Sequence, residues 1–355
     1  MARAARELGL HVAVVARLRE HRGAIEAAGA QAIPLEAERG SLNPFAAVAA
    51  AGRIAAILKR ERADLVHCIA LRSILVGGAA ALMAGVPRRI YALTGSGLSG
   101  TRQDAFGIGA RAALRALIRG PLATPETRYL FENGDDPRLL GLDPADARVA
   151  IAGGAGVDPD IFRPQPPPPW PPLKVAVVSR MLWSKGVDLA VEAVRLARAR
   201  GAAVRLSLVG APDPSNRRSI PEATLRAWGS EPGISWTGPT GDVPAVWRDH
   251  HLACLPSRGG EGLPRTLLEA AACGRPLLTT DVPGCRALVR DGVEGLVVSP
   301  NDAPALADAL ARLAGDSALV VRLGEAARAR VLDGFTERDV MATVKGLYAA
   351  MLLSP

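Results

Sequence analysis

Two carboxylates in the second half of the chain are spaced to do chemistry on an anionic ligand. They are Glu261 and Glu269, in the segment Glu261-Gly262-Leu263-Pro264-Arg265-Thr266-Leu267-Leu268-Glu269. An apolar run, Leu252–Pro256, and a polar loop, Ser257-Arg258-Gly259-Gly260, come just before it. Pro264 fits the first position of a helix, where a missing N–H costs nothing, and Gly274 fits its end. A helix start presents backbone N–H groups that attract a diphosphate. Gly259, Gly260 and Gly262 let backbone approach an anion closely. Glu269 lies five residues after Pro264, roughly 7.5 Å along a helix axis. That is a sensible reach from a diphosphate to the ribose of the same nucleotide. A carboxylate there can accept hydrogen bonds from both ribose hydroxyls. Glu261, just ahead of the helix, can face a sugar carried by the diphosphate.

A second constellation follows another apolar run: Ser179-Arg180-Met181-Leu182-Trp183-Ser184-Lys185-Gly186. Arg180 and Lys185 can flank a diphosphate and offset its charge. They can also stabilise negative charge growing on a leaving group.

These residues need a scaffold. The chain has 355 residues, enough for two domains. The densest proline run, Arg163 to Pro172, blocks helix and sheet alike and reads as a semi-rigid linker. The expected domains are 1–164, a linker at 165–172, 173–335, and a last helix at 336–355. Strands are expected at His11–Ala16, Leu65–Ile69, Arg89–Thr94 and Arg148–Ala152. In the second half they are expected at Lys174–Ser179, Val204–Val209, Ile234–Thr237, Leu252–Pro256 and Pro276–Thr280. Helices fit Ala46–Arg60, Gly109–Arg119, Val187–Arg200, Pro264–Cys273, Ala303–Ala314 and Ala318–Leu332. Strands alternating with helices predict an α/β fold of two Rossmann-like, doubly wound parallel sheets with a cleft between them. The chain opens on a helix, Ala2–Leu8, before any strand. The first strand of such a sheet is normally central, so the amino-terminal domain is expected to lack its first strand.

The segments EGLPRTLLEAAACGRPLLTTDVPGCRALVRDGVEGLVV and SRMLWSKG resemble the paired-glutamate motif and phosphate loop of the family 4 retaining glycosyltransferases. GVDPDIFRP resembles the end of their first domain, and FTERDVMATVKGLYAAML their last helix, which crosses back to the first domain. VHCIALRS, LTGSG and FENGDD are similar to the subgroup that builds capsule, O-antigen and lipid-linked oligosaccharides. The resemblance spans nearly the whole chain and implies a GT-B fold. It implies a UDP-sugar donor, an undecaprenyl-diphosphate-linked saccharide acceptor, retention at the anomeric carbon, and no metal. It assigns Arg180 and Lys185 to the diphosphate and Glu261 to donor-sugar hydroxyls. The backbone of Gly262 and Leu263, ahead of Pro264, would meet phosphate, and Glu269 would bind ribose. Catalysis would rest on Glu261, Arg180 and Lys185. His67, Thr94, Gly95 and Ser96 would form an acceptor-side loop region. Many relatives carry a histidine near that loop, and this sequence has none there. Two alternatives stay open: a soluble or other lipid acceptor, or an inactive truncated chain.

Other motifs point elsewhere more weakly. Gly95 to Gly100 spells GxGxxG, without the ribose-binding acid about 20 residues on that a dinucleotide site wants. Asp158-Pro159-Asp160 spells the DxD of metal-dependent transferases but sits in a turn-like context. His250 and His251 read as structural. Four cysteines without a CxxC pair give no zinc site and read as buried thiols of a reducing cytosol. The net charge of +8 invites acidic partners. Scattered basic residues and 4% aromatics argue against nucleic acid. Arg111, Arg115 and Arg119 recur every four residues beside Leu114, Leu117 and Ile118. This pattern suits an anionic membrane surface. No apolar run reaches the roughly 18 residues of a membrane span, and no signal peptide is visible. The expected location is cytoplasmic, peripheral on the inner face of the membrane.

Overall fold

The computed structural model describes residues 1–18, 22–35, 44–95 and 105–352. The chain forms two compact units, Met1–Ala152 with Arg338–Pro355, and Gly153–Glu337. Each is an α/β unit built on parallel strands, the composition expected of a GT-B chain.

In the first unit, β1 (Ala13–Ala16) pairs with β2 (Gln31–Pro34). A second parallel sheet runs β3 (Leu65–Ile69), β4 (Arg88–Leu93), β5 (Arg128–Phe131), β6 (Val149–Ile151). Among the described residues β1 and β3 do not pair, so the strands of this unit fall into two sheets. One face of the larger sheet carries Ile90, Ala92 and Leu130. They pack with Ala4 and Ala5 of the first helix, Ala2–Glu7, and with Val340, Val344, Tyr348 and Met351 of the last, Glu337–Leu352. The last four recur at three- or four-residue intervals, one face of a helix. The other face packs Tyr91, Tyr129 and Phe131 against Ile74 and Ile118.

The second unit holds a six-stranded sheet in the order β12-β11-β10-β7-β8-β9. These strands are β7 (Leu173–Val178), β8 (Val204–Val209), β9 (Ile234–Gly238), β10 (Leu252–Leu255), β11 (Leu277–Thr280) and β12 (Gly295–Val298). Every pairing is parallel. Covered strands of this kind need near-continuous apolar runs, and Val175, Ala176 and Val177 of β7 are fully buried. The helix Val187–Ala199 buries Val187, Ala190, Val191, Val194 and Ala197 against one face. The helix Arg265–Ala272 serves the opposite core. The chain runs outward from β7 to β9, then returns to start β10 on the other side of β7. The strand order therefore reverses between β7 and β10.

Residues 153–172 lie on the second unit. Phe162 is in its core, Trp170 packs against the other core cluster, and the Pro168 carbonyl lies 2.9 Å from His251 Nε2. The apolar stretch Ile74–Val86 lies mostly in a helix, Leu71–Ala84, that packs on the first unit. Among the described residues no helix is long and apolar enough to cross a membrane.

Candidate functional site

Open parallel sheets bind ligands beyond the carboxyl ends of their strands, where the strand order reverses. In the second unit that place is the pair of loops after β7 and β10. After β7 the chain passes Ser179–Leu182 into a short 3₁₀ turn, Trp183–Lys185, and then Gly186. Gly186 has φ +69°, and a Cβ there would lie 1.9 Å from the Pro256 carbonyl oxygen. Only glycine lets the Lys185 loop press so closely on the loop after β10. Gly259 and Gly260, also at positive φ, turn that second loop towards Glu261.

The two loops meet in an ion pair. Lys185 Nζ donates to both oxygens of Glu261, at 2.6 and 2.7 Å. Both side chains are largely covered, at 19% and 13% exposure. Ser257 Oγ donates to Glu261 Oε1 at 3.0 Å. The Thr279 hydroxyl donates to the Leu255 carbonyl at 2.7 Å, and that of Thr280 to the Ser257 carbonyl, bracing the loop from β11.

Glu269 is buried one turn into the helix Arg265–Ala272. Arg265 Nε donates to its Oε1 at 2.7 Å. Burial pushes the Glu269 carboxyl above its ordinary range, and Arg265 pulls the other way. Pro264 is the cap of this helix, with extended ψ of 115°, rather than its first helical residue. The ring still fits, because a cap needs no N–H partner within the helix. Gly262, Leu263 and Pro264 are all buried at its entrance. The Thr266 hydroxyl in the first turn is buried with no hydrogen-bond partner.

Arg180 takes a different place. Its Nη1 donates to Asp213 Oδ2 at 2.7 Å, and its side chain is 61% exposed. Asp213, Ser257, Arg258, Asp188 and Thr266 were not among the site residues read from sequence. Arg265 was legible in principle, since it lies four residues before Glu269 on one helix face.

In the first unit, His67 lies in the middle of β3. Its Nδ1 is 2.8 Å from the Tyr348 hydroxyl, and its Nε2 is buried without a partner. Burial lowers its pKa from 6.5 to about 4. Thr94 and Gly95 follow β4, with Thr94 exposed; Ser96 lies outside the described residues. Most of the GxGxxG run lies outside them as well. Beyond β5, Asn133 and Asp136 are both buried, and Asn133 Nδ2 donates to Asp136 Oδ2 at 3.0 Å. Burial raises the Asp136 carboxyl from 3.8 to about 6.

The helix Ala105–Arg119 turns Leu114 and Ile118 to the core of its unit and leaves Leu117 exposed. Arg119 Nη1 donates to the Gly141 carbonyl at 2.8 Å. Arg115 is exposed, and Arg111 half-buried. Asp158 Oδ1 accepts from the Asp160 amide at 2.9 Å, which makes the DxD run a turn. Both rings of the histidine pair are occupied by structural bonds, including His250 to Val246 and Ser207. All four cysteines are buried thiols. Among the described residues no cluster of three or more His, Cys, Asp or Glu could hold a metal.

Comparison with known proteins fits this architecture. Residues 172–316 match a family described as glycosyl transferases group 1, and residues 1–121 match one described as glycosyl transferase 4-like. The putative colanic acid biosynthesis glycosyltransferase WcaL of Escherichia coli is 31% identical over 247 residues, covering 64% of this chain and 60% of that protein. The N,N'-diacetylbacillosaminyl-diphospho-undecaprenol alpha-1,3-N-acetylgalactosaminyltransferase of Campylobacter jejuni is 24% identical, covering 84% and 80%. The chain spans less than two thirds of the length of several relatives, among them 16% of a Streptomyces coelicolor exopolysaccharide phosphotransferase. Anabaena Alr3699/HepE, crystallised with UDP and glucose, superposes with a TM-score of 0.77 at 18% identity, covering 100% of this chain and 95% of that one. That likeness speaks for the fold. The two family matches, one in each unit, place the chain in the superfamily of group 1 and family 4-like glycosyltransferases, among relatives named for bacterial surface-polysaccharide synthesis.

Proposed function

We propose that the chain transfers a hexose or N-acetylhexosamine from a UDP-sugar to an undecaprenyl-diphosphate-linked saccharide during surface-polysaccharide synthesis. The carrying observation is the Lys185–Glu261 pair at the strand-order reversal, with the buried carboxylate of Glu269 on the adjoining helix. Support for the donor comes from the Anabaena structure with UDP and glucose, and for the acceptor from the Campylobacter enzyme's diphospho-undecaprenol substrate.

Lys185 holds the diphosphate. Arg180 joins it by exchanging Asp213 for phosphate, an exchange its exposure allows. The backbone of Gly262 and Leu263 meets phosphate, Glu269 takes the ribose hydroxyls, and Glu261 takes hydroxyls of the donor sugar. The bond from the anomeric carbon to the diphosphate breaks as the acceptor oxygen bonds to that carbon on the same face. The acceptor proton passes to the departing diphosphate, and configuration is retained. Cations placed where charge develops lower the barrier. Thr94, Gly95 and Ser96 serve the acceptor side, while His67, in β3, is bonded to Tyr348 rather than open to an acceptor. Arg111, Arg115 and Arg119 face anionic lipid; flotation with anionic vesicles should carry the protein, and its absence would remove this part.

Thermal stabilisation by a nucleotide panel tests the donor site. UDP should raise Tm in the wild type and fail to do so in Glu269→Ala. No shift with any nucleotide, in a folded sample, would overturn the reading. Activity should persist in EDTA, whereas strict Mn²⁺ dependence would contradict the proposed chemistry.

A further inference from the structure

The donor site requires Lys185 and Glu261 to be held together although 76 residues separate them. One side chain fastens their loops from outside the pair, and that is Arg258. Its Nη1 and Nη2 donate to Asp188 Oδ1 and Oδ2 at 2.7 and 2.8 Å, a bidentate fork. Nη1 also reaches the Trp183 carbonyl, and Nε donates to Asn301 Oδ1 at 2.7 Å. The Arg258 amide donates to the Ser184 carbonyl at 2.9 Å. Trp183 and Ser184 directly precede Lys185, and Asp188 lies in the first turn of the helix that follows Gly186. Asn301, at φ +63°, sits in the loop after β12. One guanidinium therefore ties the loops after β7, β10 and β12.

We infer that Arg258 is a positioning residue: it locks the Lys185 loop to the Glu261 loop through Asp188 and so sets the geometry of the anion site without touching the ligand. This rests on reading that site as one for a nucleoside diphosphate. A guanidinium has five N–H donors, and the contacts to Asp188, Trp183 and Asn301 leave little of that capacity for phosphate. The Arg258 and Asp188 side chains are 27% and 28% exposed, so the pair is of a kind that contributes modestly to stability. Its consequence lies in geometry. A fork held by a planar cation fixes distance and angle together, and a lysine ammonium cannot reproduce it.

The test uses the full chain with Arg258→Lys, Arg258→Gln, Asp188→Asn and the double variant Arg258→Gln/Asp188→Asn. Two readouts are taken well below Tm. The first is acylation of Lys185 by a water-soluble amine reagent without nucleotide, followed by mass spectrometry. The second is UDP affinity by calorimetry. Lys185 should label several-fold faster in both Arg258 variants, and UDP binding should weaken about tenfold, with the double variant no worse than the single ones. A lowered Tm with unchanged labelling and unchanged UDP affinity would overturn the inference and leave Arg258 a structural side chain. Faster labelling in a protein whose wild type ignores UDP would uphold the lock and sink the donor reading instead.

Discussion

Lys185→Met separates what the central ion pair does for the fold from what it does for a ligand. The substitution leaves Glu261 with one remaining neutral donor, the Ser257 hydroxyl at 3.0 Å. Breaking a fully buried pair costs about 3–5 kcal/mol and an exposed one about 0–1. With 19% and 13% exposure, this pair falls between, and a loss of about 2 kcal/mol is expected. Removing both charges in Lys185→Met/Glu261→Gln should restore most of that loss, because no charge is left stranded. Nucleotide binding should behave differently. A charge-assisted contact to phosphate contributes about 1.5–3 kcal/mol, equivalent to roughly ten- to hundred-fold in Kd. That loss should persist in the double variant. Denaturant titration gives the stabilities and calorimetry with UDP gives the affinities. A double variant that binds UDP as well as the wild type would refute the reasoning, for Lys185 would then be only a structural partner of Glu261.

Three further outcomes follow from local physics. Gly186→Ala must place a Cβ 1.9 Å from the Pro256 carbonyl at φ +69°; it should cost at least about 2 kcal/mol and weaken UDP binding, which calorimetry on the folded fraction would show. Burial holds His67 at about 4 against 6.5, so its folded form resists protonation. The stability it confers is complete above pH 6.5 and lost as pH falls through about 4, by at most about 3 kcal/mol. Asp136, raised to about 6, has the opposite sign. The difference between wild type and His67→Gln across a pH series of denaturant melts isolates the histidine, and a flat difference would contradict its burial. Glu269 is raised by burial from 4.5, so UDP affinity should begin to fall with acidification above that pH. Glu269→Gln should lack this component.

The sequence was most informative where local chemistry dictates structure. The helix after Pro264 could be read from its proline, its apolar spacing and Gly274, and it runs Arg265–Ala272. The β7 and β10 runs were legible because covered strands are mostly apolar, and β8 from the alternation of Val204, Leu206 and Leu208 with Arg205 and Ser207. The strands Gln31–Pro34 and Arg128–Phe131 were not, being short and opening on a polar side chain, and Gly295–Val298 was not because its apolar run is only three residues after a glycine. The helix Leu71–Ala84 was obscured by Gly77 and Gly78, which weaken helical propensity. Their reason is tertiary: a Cβ at Gly77 would lie 2.6 Å from Cys68 Sγ, and one at Gly78 2.7 Å from the Tyr91 hydroxyl. The same limit applies to the candidate site. Lys185, Glu261 and Glu269 could be singled out by type and spacing. Apart from Arg265, four residues before Glu269 on one helix face, the side chains around them could not, because the pairings of Arg180 with Asp213 and of Arg258 with Asp188 span 33 and 70 residues. Nothing in the local pattern announces them.

The most direct measurement is sugar transfer itself. The purified chain would be incubated with labelled UDP-sugars and undecaprenyl-diphosphate-linked saccharides, and label followed into the lipid-extractable fraction. Transfer from at least one UDP-sugar, abolished by Glu269→Ala, is the predicted result. A folded wild type that neither binds UDP nor moves label from any UDP-sugar would contradict the proposed function.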